Sequence, residues 1–194
     1  MVKDLWHSLD DARVLQAELA WLHGHGRFSA SRIGNGAGRT EANAVRSDDV
    51  CWFDVDADAD ADNGRLGVRP GPAVTAFLGR LGDVRRTLNS LCFLSLAEVE
   101  CHAACYDVGA SYGAHLDAFS DDSRRVISFC HYLNEGWLPD DGGCLRMHGA
   151  PDTDVAPIAG RLVLFQSRTM LHEVLPVHRR RFSLTGWMSA RSGR

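Results

Sequence analysis

The sequence predicts a mainly β, α+β chain, with helices first and a closed antiparallel β half second. Three observations lead there. Apolar residues recur at steps of three and four in two stretches before Cys92, and that helical period disappears afterwards. From Phe93 to Ala190 short alternating segments are punctuated by Gly, Asp, Asn and Pro, the pattern of a sandwich or barrel. The helices are expected to buttress one sheet. With 194 residues, the chain 1–194 is expected to be one domain, residues 1–91 forming a helical buttress with a long loop and residues 92–190 the barrel core.

The first helix is expected from Leu5, Leu9, Ala12, Leu15, Leu19 and Leu22, with Gly24 as a left-handed stop. A Gly-rich loop, Gly34–Gly38, follows. It is not a phosphate loop, because neither G-x-G-x-x-G nor G-x-x-x-x-G-K is met and no buried strand precedes it. A short strand is expected around Val50–Phe53. The alternating run Asp54–Asp62 is read as a solvated turn, because counting from Asp58 the sixth position is Asn63 rather than Gly and the twelfth is Arg69 rather than Glu. Pro72 suits a helix start, and Phe77, Leu81, Val84, Leu88 and Leu91 continue the second helix.

Composition narrows the function classes. Twenty-one Lys and Arg against 25 Asp and Glu give a net charge of −4, which repels phosphate backbones, so no nucleic-acid partner is expected. No apolar run approaches the roughly 18 to 20 residues of a membrane span, and the opening Met1-Val-Lys-Asp-Leu-Trp6 is acidic rather than a basic leader, so no membrane partner and a cytoplasmic location are expected. In that compartment Cys51, Cys92, Cys101, Cys105, Cys130 and Cys144 should be thiols. The C-x3-C of Cys101 and Cys105 lacks the second pair a structural zinc would need.

The chemistry-bearing residues lie in the β half. In His115-Leu-Asp117 the two polar side chains share one face of a strand, and after 54 intervening residues a later strand can supply His172. Two His and one carboxylate hold one face of an octahedral ion and leave three positions open, which suits non-haem Fe(II) chemistry. A bare H-x-D is also common where His is simply hydrogen-bonded. In Arg181-Phe-Ser-Leu-Thr-Gly-Trp187 alternation aims Arg181, Ser183, Thr185 and Trp187 into one interior. A buried arginine demands an anion, either a ligand carboxylate or a protein acid at the barrel rim.

Ordered blocks then match a known family. Cys105-Tyr-Asp-Val-Gly-Ala-Ser-Tyr-Gly-Ala-His-Leu-Asp117, Arg125 through Asn134, Trp137, Gly142-Gly-Cys-Leu-Arg146, Gly160 through Ser167 and His172 through Trp187 resemble the prolyl 4-hydroxylase group of 2-oxoglutarate- and Fe(II)-dependent dioxygenases. The likeness is nearest to the hypoxia-inducible-factor prolyl hydroxylases and their bacterial relatives, and covers about Arg46 to Ala190. It implies a double-stranded β-helix, a jelly-roll barrel with N-terminal helices packed on it. It also implies that His115, Asp117 and His172 hold iron, that Arg181 pairs with the distal carboxylate of 2-oxoglutarate, and that Tyr132 donates to the same carboxylate. Tyr106, Thr185 and Trp187 would line that pocket, and Tyr112 is either plain core or a direct participant. Arg46-Ser-Asp-Asp-Val-Cys-Trp52 resembles the family's substrate loop, where Asp48 would meet Arg125 in a rim ion pair of little weight for stability. Departures are Cys144 after Gly-Gly, His131 before Tyr132, and one residue fewer between Tyr106 and His115.

The implied activity is hydroxylation of a prolyl residue in a protein, with 2-oxoglutarate and O2 converted to succinate and CO2, and ascorbate as an accessory reductant. The long loop around Arg46 to Trp52 favours a proline-containing protein or peptide as partner. The alternatives are a hydroxylase of a free amino acid or small molecule, and a metal-binding barrel without catalysis. Arg181 and Tyr132 speak against the last, which has no use for them.

Overall fold

The computed structural model describes residues 1–33, 40–41, 46–54, 67–118 and 124–190. The Gly34–Gly38 loop and the aspartate run beyond Asp54 lie outside the described residues. In chain order the elements are β1 (Val2–Lys3), α1 (Leu9–Gly24), β2 (Ser29–Ala30), β3 (Arg32–Ile33), β4 (Thr40–Glu41), β5 (Asp49–Trp52), α2 (Pro72–Cys92), β6 (Leu96–Tyr106), β7 (Tyr112–His115), β8 (Arg125–Tyr132), β9 (Leu145–Met147), β10 (Thr153–Val155), β11 (Leu162–Gln166), β12 (His172–Val174) and β13 (Arg181–Ala190). They form a seven-stranded sheet in the order β1-β11-β8-β13-β6-β5-β2, a four-stranded sheet β10-β9-β12-β7, and a β3-β4 pair. All the pairings are antiparallel, and the two larger sheets face each other as the expected double-stranded β-helix.

The period of two in β13 separates the two sides of the main sheet. Phe182, Leu184 and Met188 face the helices, where they join Phe129, Leu162 and Leu164 of the sheet, Leu15, Leu19 and Leu22 of α1, and Val74, Phe77 and Leu81 of α2. The opposite face packs on the smaller sheet. Tyr132, Val163 and Phe165 meet Leu145 and Val155 at one end, and Ala104 and Tyr106 meet Val174 and Val177 at the other. Gly186 allows β13 and β6 to lie this close, since a Cβ there would run into the Glu100 carbonyl oxygen.

The helices differ from expectation at their ends. α1 begins at Leu9, because Ser8 caps it by accepting from the Asp11 amide at 3.1 Å. Leu5 instead stands outside the helix with φ 51°, exposed, while the amides of Trp6 and His7 donate to the Gly160 carbonyl. The helix runs through Gly24, and the left-handed glycine beyond it is Gly26, at φ 67°. α2 starts at Pro72 as expected, and the Glu18 carboxylate of α1 accepts from its Ala73 amide at 2.9 Å. The six cysteines are free thiols, and burial pushes Cys51 up to about 11 and Cys105 up to about 12.

Candidate active site

β7 and β12 are neighbours in the smaller sheet, with His115 directly opposite His172. Each imidazole uses Nδ1 on a backbone carbonyl two residues back, His115 on Gly113 and His172 on Met170, both at 2.9 Å. The Nδ1 atoms therefore carry the protons, and each Nε2 presents a lone pair to the interior. Asp117, just past the end of β7, brings its carboxylate to 3.5 Å from His115 Nε2 and 3.6 Å from His172 Nε2. One donor atom from each of the three residues lies within 4.8 Å of the other two, and among the described residues this is the cluster able to hold a metal ion.

The protonation states suit a cation. Burial lowers the pKa of His172, against the pull of Asp117, and so favours the neutral ring. Burial alone would raise Asp117, but the imidazoles of His115 and His172 beside it and the Ser128 hydroxyl together hold it well below the usual carboxylate range. An N,N,O set on one side of the ion fits Fe(II) and leaves the remaining positions to other ligands.

Arg181 opens β13 opposite Tyr106 and lies almost wholly buried. Its guanidinium sits over the rings of Tyr106, at 4.6 Å, and Tyr132, at 5.3 Å, and donates one N–H to the Gly143 carbonyl. Gly143 sits at φ 61°, and a Cβ there would press on Val177 at 3.0 Å and on the arginine stem at 3.3 Å. No carboxylate among the described residues pairs with Arg181, and its Nε is buried without a partner. The Tyr132 hydroxyl is likewise buried and unpartnered, and burial keeps the phenol protonated by pushing its pKa well above the ordinary value. A buried cation and a buried O–H donor left open side by side form a socket for an anion such as a ligand carboxylate. Among the described residues no protein acid at the rim takes that place. Thr185 donates to the Phe129 carbonyl at 2.9 Å and lies 3.4 Å from the Cys130 sulfur, and Phe165 packs edge-on to His172 while joining the cluster around Tyr132.

Around the opening the structure departs from one expectation. Asp48 does not meet Arg125. It binds Arg46 in a bidentate pair, and Arg46 lies over the Tyr112 ring, which itself stacks on His115 at 3.7 Å. The two side chains lie two residues apart on one extended segment and so share a face, which lets the Arg46 guanidinium take the Asp48 carboxylate. Arg125, at the start of β8, stacks 3.4 Å over Trp187 and donates to Glu100 and to the Asp117 carbonyl, both at 3.2 Å. Trp187, His102 and Trp52 form one ring cluster, with centroids 4.4 to 5.9 Å apart.

Sequence reasoning missed two residues. Ser128 of β8 bonds the Asp117 carboxylate at 2.6 Å, and Ser167 bonds Ser128 at 2.9 Å. The available signal was alternation, which puts Ser128, Cys130 and Tyr132 on one face of a strand.

Comparison with known proteins agrees with this geometry. Residues 101–189 match the 2OG-Fe(II) oxygenase superfamily. The chain is 37% identical to a prolyl-4-hydroxylase from Pseudomonas putida, whose crystal structure superimposes with a TM-score of 0.82 over 99% of this chain and 92% of that one. It is 31% identical to the hypoxia-inducible factor prolyl hydroxylase of Caenorhabditis elegans, covering 100% of this chain and 27% of that protein, and 27% identical to mouse Egl nine homolog 1, of which it covers 41%. The chain thus spans less than half the length of these curated relatives. A Trichoplax adhaerens prolyl hydroxylase solved with a hypoxia-inducible factor peptide shares the fold at a TM-score of 0.81 and 23% identity, over 97% of this chain and 82% of that one.

Proposed function

The chain belongs to the 2-oxoglutarate- and Fe(II)-dependent oxygenase superfamily, and from that premise we propose that it hydroxylates prolyl residues of a protein or peptide. The observation that carries the cofactor half of this reading is the unpartnered pair of Arg181 Nε and Tyr132 Oη in the interior that also holds the triad. The prolyl half rests on the likeness to the Pseudomonas putida enzyme.

In this reading His115, Asp117 and His172 hold Fe(II), and Arg181 and Tyr132 hold the distal carboxylate of 2-oxoglutarate. Together with O2 these groups supply an oxidant at the cost of converting 2-oxoglutarate to succinate and CO2. The chain's own part is placement. Nδ1 bonds to Gly113 and Met170 fix the two imidazole planes. Tyr106, Val163 and Phe165, all buried, keep water away from the socket. Trp52, only partly buried, offers an apolar ring of the kind a pyrrolidine packs on, in a cluster with the buried Trp187 that Arg125 covers. Residues 1–91 act as buttress and substrate loop, and 92–190 carry the dioxygenase core.

Among the described residues no helix is long and apolar enough to cross a membrane. Six free thiols support a reducing compartment, and the cytoplasm is the location we propose.

The test is incubation of the protein with Fe(II), 2-oxoglutarate, ascorbate and proline-containing polypeptides, followed by mass spectrometry. One added oxygen on a prolyl residue, matched by succinate, is the expected result. Oxygen added only to free amino acids would move the small-molecule reading ahead, and metal uptake without succinate would leave a non-catalytic barrel.

A further inference from the structure

We propose that Ser128, backed by Ser167, is a positioning residue that decides which oxygen of Asp117 faces the metal. The inference rests on the reading of His115, Asp117 and His172 as ligands of Fe(II).

The two histidines are fixed by the smaller sheet, in which they stand opposite each other. Asp117 has no such ladder. It lies beyond β7 and is tied instead to the main sheet: the Ala118 amide donates to the Ser167 carbonyl at 3.2 Å, and Arg125 donates to the Asp117 carbonyl. Its carboxylate is held by Ser128, whose Oγ lies 2.6 Å from Oδ2, within the range of a hydroxyl donating to a charged oxygen. A hydroxyl has one proton. Because Ser128 gives its proton to Asp117, the 2.9 Å contact between the serines runs from Ser167 Oγ to Ser128 Oγ. Both serines are buried, so neither hydroxyl has bulk water to turn to. Strand register sets the pair, since Ser128 faces Phe165 across β8 and β11 and the Ser167 amide closes on the Val126 carbonyl at 3.0 Å.

With one lone pair of Oδ2 taken by Ser128, Oδ1, 3.5 Å from His115 Nε2, is the oxygen left wholly open to a cation, while Oδ2 stands 3.6 Å from His172 Nε2. Without Ser128 the carboxylate is free to turn about its last bond. Both oxygens can then face the ion and cover a position that a co-substrate needs, or swing away from it.

Co(II) serves as an oxygen-stable probe whose absorption reports its ligand arrangement. Ser128→Ala should weaken Co(II) binding by about 10- to 100-fold and alter the visible spectrum of what does bind. Ser128→Thr, which keeps the hydroxyl, should restore both, and Ser167→Ala should show a smaller change in the same direction. A role in folding alone would lower Tm without touching the spectrum. Wild-type affinity and an unchanged spectrum in Ser128→Ala would overturn the inference. If that variant does not fold, Ser167→Ala decides, weakened binding supporting the inference and wild-type binding overturning it. A wild-type chain that takes up no Co(II) would instead sink the reading of the triad, and this inference with it.

Discussion

Arg46 and Asp48 form a bidentate ion pair, Nε to Oδ1 at 2.5 Å and Nη2 to Oδ2 at 2.8 Å, in which the aspartate side chain is wholly shut off from solvent. Burial works against the arginine's charge, but the Asp48 carboxylate more than compensates and raises its pKa. This is not the weak rim contact the sequence suggested. Asp48→Ala would leave a buried guanidinium uncompensated, at a cost of about 3 to 5 kcal/mol, which for a chain of this size lowers Tm by roughly 10 °C. Thermal unfolding of the variant checks this, and an unchanged Tm would contradict the buried pair.

Tyr132→Phe separates binding from stability. The hydroxyl it removes is buried with only the weakly bonding Cys130 thiol as a polar neighbour, so Tm should change little. Affinity for 2-oxoglutarate should nevertheless fall by roughly tenfold, the value of one hydrogen bond to a charged group. Isothermal titration with metal-loaded protein measures the affinity, and thermal unfolding the stability.

Arg181→Lys keeps the charge and loses the fork. Iron binding should survive while 2-oxoglutarate affinity drops by about a hundredfold, corresponding to about 2 to 3 kcal/mol. An unchanged affinity would make Arg181 a structural residue that serves only the Gly143 carbonyl and the two tyrosine rings.

Acid should loosen the N-terminal segment. His7 Nδ1 lies 3.1 Å from His131 Nε2, and His131 Nδ1 bonds the Arg161 carbonyl, with Trp6 and Phe77 packed around them. Burial, reinforced by the nearby Arg80, pushes His7 down to about 4, and burial with the neighbouring His7 pushes His131 down to about 3. Both rings are neutral in the folded and unfolded chain above the ordinary value of 6.5. As pH falls below that value the unfolded chain takes up protons that the folded one refuses, so stability is lost from 6.5 down to about 4 for His7 and about 3 for His131. Tm measured across that window should decline, with a shallower slope in His131→Phe. Equal slopes would show that the pair does not titrate in this way.

The sequence carried some of these features and hid others. Alternation in Arg181–Trp187 was legible because a strand's period of two needs no partner to be read, and Phe182 and Leu184 do face the helices. The helix start was less so: Leu5 fits the apolar period, yet the Ser8 cap and the docking of Trp6 and His7 on Gly160 override it. The partner of Asp48 was within reach of the same period of two, which puts Arg46 and Asp48 on one face, but the family resemblance pointed to Arg125 instead. Alternation places Ser128 on the interior face beside Tyr132, but its contacts with Asp117 and Ser167 become visible only once the strands are paired.

The central claim is that His115, Asp117 and His172 hold the iron that drives oxidation. Its most direct test is succinate formation and Fe(II) retention in Asp117→Ala beside the wild type. The triad predicts that the wild type retains Fe(II) and makes succinate, and that the variant does neither, whereas full turnover by Asp117→Ala would contradict the assignment.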